Sequence, residues 1–223
     1  MRPQSAILFA LGALGGTGIL TGCGGQASLA TAELPQCAST FITPNYADAD
    51  DPQTGRDNVL LRWPAFPVKV YFRNEATLPG GASAQGLWNE AADRWESVAG
   101  TTLFATTGSE ADADIVVEFR SHATLPIGAN RATTSVTWDP TQRMLKRAET
   151  IIGVWPTMTP DQAGPGFRGL LTKQIGHALF LRGSSPHSED AMFATTNLSE
   201  DRPLSTRDRN SLLTAYCGQF RTR

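Results

Sequence analysis

Lys173-Gln174-Ile175-Gly176-His177 sets an ammonium, an amide and an imidazole within a few residues of one another. On a helix, residues four apart share a face, so Lys173 and His177 project together, with Gln174 beside them. That is the spacing by which a helix offers two ligands to one metal ion. The residue types do not suit that chemistry. An ammonium near neutral pH repels a cation, and Gln174 cannot take a proton from a zinc-bound water. A catalytic zinc needs three protein ligands plus water. Downstream, His187 with Glu189 or Asp190 could complete a set only by swinging in. The plain readings are a hydrogen-bonded core histidine at His177 and a surface-loop histidine at His187. Lys173 as a base or nucleophile, with Ser184 or Ser185 as partner, lacks a nucleophile elbow in the surrounding sequence.

The elements that must position these residues are legible. Val68-Lys69-Val70-Tyr71-Phe72 alternates as a strand. Leu78-Pro79-Gly80-Gly81 is a turn, and Ser83 can cap a helix running to about Val98, with Leu87, Ala91, Trp95 and Val98 on its buried face. Thr102 to Ala105 is a short strand. Ala113 to Phe119 is a nearly continuous apolar run, as expected of a central strand. Thr133 to Trp138 and Glu149 to Val154 are further strands, with Asp139-Pro140-Thr141-Gln142 as the turn after the first. Pro165 to Leu181 is the helix carrying Lys173 and His177. Ser205-Thr206-Arg207-Asp208 opens a final helix with a capping-box-like pattern, Asp standing in for Glu or Gln. This order predicts an α+β fold: a mostly parallel sheet covered by two helices, and a third helix in a small C-terminal part.

From Trp63 to Tyr216 the chain resembles the matrixin-like metallopeptidases of the metzincin group, in their short bacterial secreted form. The resemblance rests on RWPAFPVKVYF, Trp95, ADIVVEF, TTSVTWDP followed by AETIIGV, and LSTRDRNSLLTAY, taken in order and spacing. It implies a metzincin-like fold with a twisted, mostly parallel sheet, two long helices and a C-terminal helix. The family motif is H-E-x-x-H-x-x-G-x-x-H followed by a Met-turn. Laid on that motif, Lys173 takes the first His, Gln174 the catalytic Glu, and His177 the second His, while Phe180 replaces the turn Gly. With one extra residue in the loop, Gly183 matches the Gly, Ser184 takes the third His, and Met192 falls on the Met-turn, followed by Phe193. The expected function is a catalytically degenerate domain that binds an extended peptide or protein segment in its cleft, with no cofactor. An active zinc metalloendopeptidase with non-standard ligands (His177, His187) and a purely structural envelope protein remain as alternatives. Lys173 is expected to stand in for the metal as the cation of the site, pairing with Glu189 or Asp190, unless it snorkels to solvent.

The 223 residues carry a formal net charge of −2 and ordinary proportions of apolar and charged residues, so one globular domain is expected. No basic block suggests nucleic acid. Arg2, the apolar run Ala6 to Leu20, and Leu20-Thr21-Gly22-Cys23 read as a signal peptide over residues 1–22 ending in a sequence similar to a bacterial lipobox. Lipidated Cys23 would anchor the chain to the cell envelope. Gly24 in place of Asp favours the outer membrane or surface over the inner membrane. Residues 23–62 read as the lipidated cysteine, a flexible tether and an acidic loop (Ala47 to Arg56), and residues 63–223 as the folded domain. Of three cysteines, Cys37 and Cys217 then remain as a pair for a disulfide in an oxidising compartment.

Overall fold

Val68–Phe72 forms strand β1, its valines buried and Lys69 exposed between them. The computed structural model describes residues 44–46, 61–125, 131–139, 141–142, 144–179, 184–194, 197–198 and 200–216. Cys23, Cys37, Cys217, the apolar N-terminal run, the acidic loop and residues 180–183 lie outside them.

Helix α1 spans Ala84–Ala99, and Ser83 caps it by accepting from the Gly86 N–H at 3.1 Å, the contact its residue type favours. Leu87, Ala91 and Trp95 are buried as their spacing predicts, whereas Val98 is only partly buried and Ala99 closes the face. Strand β2 is Phe104–Thr106, two residues later than its pattern suggests. Strand β3, Ile115–Ser121, is the centre of the sheet, parallel to β1 on one side and to a later strand on the other. Burial on both faces explains its unbroken Ile115-Val116-Val117 run.

Strands β4, Ala132–Asp139, and β5, Met144–Val154, form an antiparallel hairpin. The Asp139 carboxylate accepts the Thr141 and Gln142 N–H groups at 2.9 and 3.1 Å, which makes the expected turn. β5 starts five residues earlier than expected, because Met144 to Arg147 pair with the far end of β4 through a bulge at Thr137/Trp138. The five-stranded sheet runs β2-β1-β3-β5-β4, parallel except for β4, which is its last strand. This is an α+β fold with a mostly parallel sheet and three helices.

One sheet face packs on the helices through Val68, Val70, Ile115, Val117, Phe119, Ala148 and Ile152. The opposite face carries a lattice of ion pairs in which Arg73 bridges Glu110, Glu118 and Glu149, and Arg147 bridges Glu110 and Glu149. The site helix α2 spans Phe167–Leu179 and follows a wider π-type turn at Gln162–Gly166 that contains Pro165. A Cβ on Gly166 would lie 1.4 Å from the Leu198 carbonyl oxygen, so only glycine lets that loop cross here. Helix α3 spans Thr206–Tyr216. Its capping box closes in both directions: the Asp208 N–H donates to Ser205 Oγ at 3.1 Å, and the Ser205 N–H to Asp208 Oδ2 at 2.8 Å.

Packing reaches further toward the N-terminus than Trp63. Leu61 is buried, and Tyr46 is buried against α3. The Tyr46 N–H donates to Ser211 Oγ at 3.1 Å, its hydroxyl to Asp208 Oδ1 at 2.8 Å, and the Asn210 amide to the Pro44 carbonyl at 2.9 Å. No described helix is long and apolar enough to cross a membrane.

Candidate functional site: a buried helix between edge strand and loop

α2 is buried on nearly every side. From Leu170 to Leu179 every residue except His177, which is half-buried, is shielded from solvent. Two polar residues therefore sit deep inside the domain, and burial without partners would be costly. Lys173 and Gln174 are each 6% exposed.

Each reaches a different neighbouring element. Lys173 Nζ donates to the Phe193 carbonyl at 2.6 Å and to the Ala194 carbonyl at 2.9 Å. Gln174 Oε1 accepts from Thr134 Oγ1 of β4 at 2.8 Å, and that hydroxyl lies 3.0 Å from Thr150 Oγ1 of β5. One helical turn thus ties the loop on one side to the sheet edge on the other. The expected pairing of Lys173 with Glu189 or Asp190 is replaced by these carbonyl contacts, because both carboxylates are engaged by Arg207 of α3. Lys173 does not snorkel to solvent either.

The loop 184–194 folds back on itself. The Ser185 N–H donates to the Met192 carbonyl at 2.7 Å, and Ser185 pairs with Phe193 as a parallel bridge. Asp190 is its fully buried anchor: it accepts from Ser185 Oγ at 2.5 Å, Ser205 Oγ at 2.6 Å and the Arg207 guanidinium at 3.0 Å. Next to it, Asp208 accepts the Ala191 and Met192 N–H groups at 3.0 and 3.4 Å. Burial pushes the Asp208 carboxyl up, with the charge of Asp190 adding to the effect, against the hydrogen bonds from Ser205, Ala191 and Tyr46. Burial, then Asp208 itself, pushes the Tyr46 phenol well up.

Met192, fully buried, lies against the helix at Gly176, where a Cβ would meet Met192 Sδ at 2.3 Å and Trp95 Cζ2 at 2.8 Å. The indole of Trp95 donates to the Thr172 carbonyl at 2.8 Å and that of Trp63 to the Ala178 carbonyl at 3.0 Å. The Tyr216 hydroxyl donates to the Leu179 carbonyl. Trp63 and Tyr216 thus satisfy carbonyls that the end of α2 leaves orphaned, while Trp95 adds a donor to a carbonyl in the helix interior.

The residues do not fit a zinc ion. Of the three motif positions that should be ligands, Lys173 is a cation held by carbonyls, Ser184 is a buried neutral hydroxyl, and only His177 is an imidazole. His187 is exposed on the loop, with its backbone N–H on Ser185 Oγ at 3.1 Å, while Glu189 and Asp190 face Arg207. Among the described residues no three His, Cys, Asp or Glu side chains cluster as a metal site. The helix α2 was legible in the sequence, but three features were not: the Thr134 contact, Arg207 as the partner of Asp190, and Asp208 as a hub. Asp208 was legible as a helix cap, which gave no hint that its second role is to hold the Met192 segment and Tyr46. No protein-family model matches the chain, and no curated protein matches it.

Proposed function

We propose that the chain is a matrixin-like domain of the metzincin group that has exchanged metal chemistry for internal hydrogen bonding. Its cleft binds an extended peptide or protein segment without cutting it. The observation that carries this reading is the commitment of Lys173 and Gln174, at the metal and base positions, to the two walls of the cleft. Met192 beneath Gly176 supports the placement on the family motif. β4, as the last strand of the described sheet, offers an edge to which an extended segment can add by main-chain hydrogen bonds. A lipid on Cys23 would hold the domain at the cell envelope, on the outer membrane or surface.

The test joins metal content to peptide handling. The chain, purified without a histidine tag, is measured for zinc by mass spectrometry and incubated with a pooled peptide library. The expected result is less than a tenth of an equivalent of zinc, unchanged stability in chelator, and peptides retained intact. Near-stoichiometric zinc with chelator-sensitive cleavage overturns the proposal in favour of a metalloendopeptidase with unorthodox ligands. Folded protein that retains no peptide leaves a structural envelope role.

A further inference from the structure

Gln174 is held by one end only. Its oxygen is pinned by the Thr134 hydroxyl, which itself pairs with Thr150. Fixing Oε1 also fixes the plane of the amide, so the direction of Nε2 is set by the fold. Yet among the described residues the two N–H groups of Nε2 have no acceptor, although the side chain is 6% exposed. Ser184, 4% exposed, likewise has no partner for its hydroxyl among the described residues. Buried donors are nearly always paired in folded proteins, and an unpaired one costs stability. A methionine would fill a similar volume at position 174 with no polar atom to satisfy. A donor that is buried, held in place and unpaired is what a binding site presents to an acceptor that arrives with the ligand.

Resting on the peptide-binding reading above, we propose that Gln174 Nε2 is the donor that receives an oxygen acceptor of the bound peptide. That acceptor is a main-chain carbonyl or a terminal carboxylate. Thr134 is the positioning residue: it touches no ligand but prevents the amide from rotating. The chemistry fits the place, because Gln174 meets the sheet through β4, the strand beside which an extended segment would lie. It also fits the residue type. A neutral amide donor accepts any peptide carbonyl, whereas the glutamate expected from the family would present oxygens and repel it.

The experiment uses the full chain and two pools of N-acetylated hexapeptides, one C-terminally amidated and one with free carboxylates. Wild type, Gln174→Met, Gln174→Glu and Thr134→Val are compared for affinity and for melting temperature without peptide. The expected result is binding about tenfold or more weaker in both Gln174 variants, as for loss of a hydrogen bond that leaves a buried acceptor unpaired. Thr134→Val should lose less, and Gln174→Met should melt no lower than wild type. Wild-type binding of both pools assigns the acceptor to a main-chain carbonyl, and binding of the free-acid pool alone assigns it to the carboxylate. Gln174→Met that binds as tightly as wild type overturns the proposal. So does Gln174→Met that melts well below wild type or fails to fold, since the amide then serves the fold. Wild type that binds neither pool removes the peptide-binding reading as well, which separates the two failures.

Discussion

Replacing Lys173 tests whether an ammonium now holds the site together. Its Nζ makes two charge-assisted hydrogen bonds, at 2.6 and 2.9 Å, from a side chain 6% exposed. Bonds to a charged group are worth about 1.5–3 kcal/mol each, and removing the donor takes these bonds from the Phe193 and Ala194 carbonyls. Against this, the mutant no longer keeps an ammonium out of water, which returns several kcal/mol. Lys173→Ala also loses three buried methylenes, at about 0.8 kcal/mol each. The net expectation is a loss of about 3 kcal/mol, or roughly 6–12 °C in melting temperature for a domain of this size. Lys146, with a side chain 62% exposed and an ion pair to Asp139 at 3.4 Å, is the control. Lys146→Ala should change stability by no more than about 0.5 kcal/mol. Lys173→Met keeps most of the stem and isolates the ammonium, and should fall between the two. The assay is urea unfolding, read as a shift in midpoint at constant slope. Equal losses for Lys173→Ala and Lys146→Ala, or a Lys173→Met protein as stable as wild type, would refute the reasoning.

Other perturbations probe the surrounding frame. Gly176→Ala drives a Cβ into Met192 Sδ and the Trp95 ring and should cost about 1–3 kcal/mol as overpacking; Met192→Ala should rescue it only in part, which a thermal-melt double-mutant cycle will show as non-additivity. Tyr46→Phe removes the hydroxyl that donates to buried Asp208 and should destabilise by about 1–2 kcal/mol in urea unfolding, showing that residues 44–46 belong to the folded domain. Asp201 is subject to burial, which raises its carboxyl, but the bonds from Arg94 and Arg168 outweigh it and hold it below the usual carboxylate range. A depressed carboxylate stabilises above its unfolded pKa of about 3.9 and loses that contribution as pH falls through the folded value. Asp201→Asn should therefore be less stable than wild type at pH 7, with the difference shrinking in acid below about pH 4; a constant difference down to pH 2 would rule out this linkage.

Much of the frame was readable from short windows. Ser83 before an amphipathic run, Asp139 at a turn, and Ser205 with Asp208 three residues on each do in the fold what their chemistry suggests. The unbroken apolar run at Ile115 did mark the central strand. Boundaries slipped where a distant partner decides them. β5 is lengthened by its pairing with β4, and α2 begins after a wider turn because the chain at Leu198 crosses over Gly166.

The α+β element order and the helix bearing Lys173, Gln174 and His177 follow from residue types and local periodicity alone. How the buried polar groups are satisfied depends on contacts between segments far apart in the chain. Lys173 was expected to seek a carboxylate and instead takes two main-chain carbonyls, because Arg207 engages both candidate acids. The physical reason is that a carbonyl oxygen is chemically the same at every residue. No pattern of side chains can announce that Phe193 and Ala194 are the ones the fold will bring within reach of an ammonium twenty residues away.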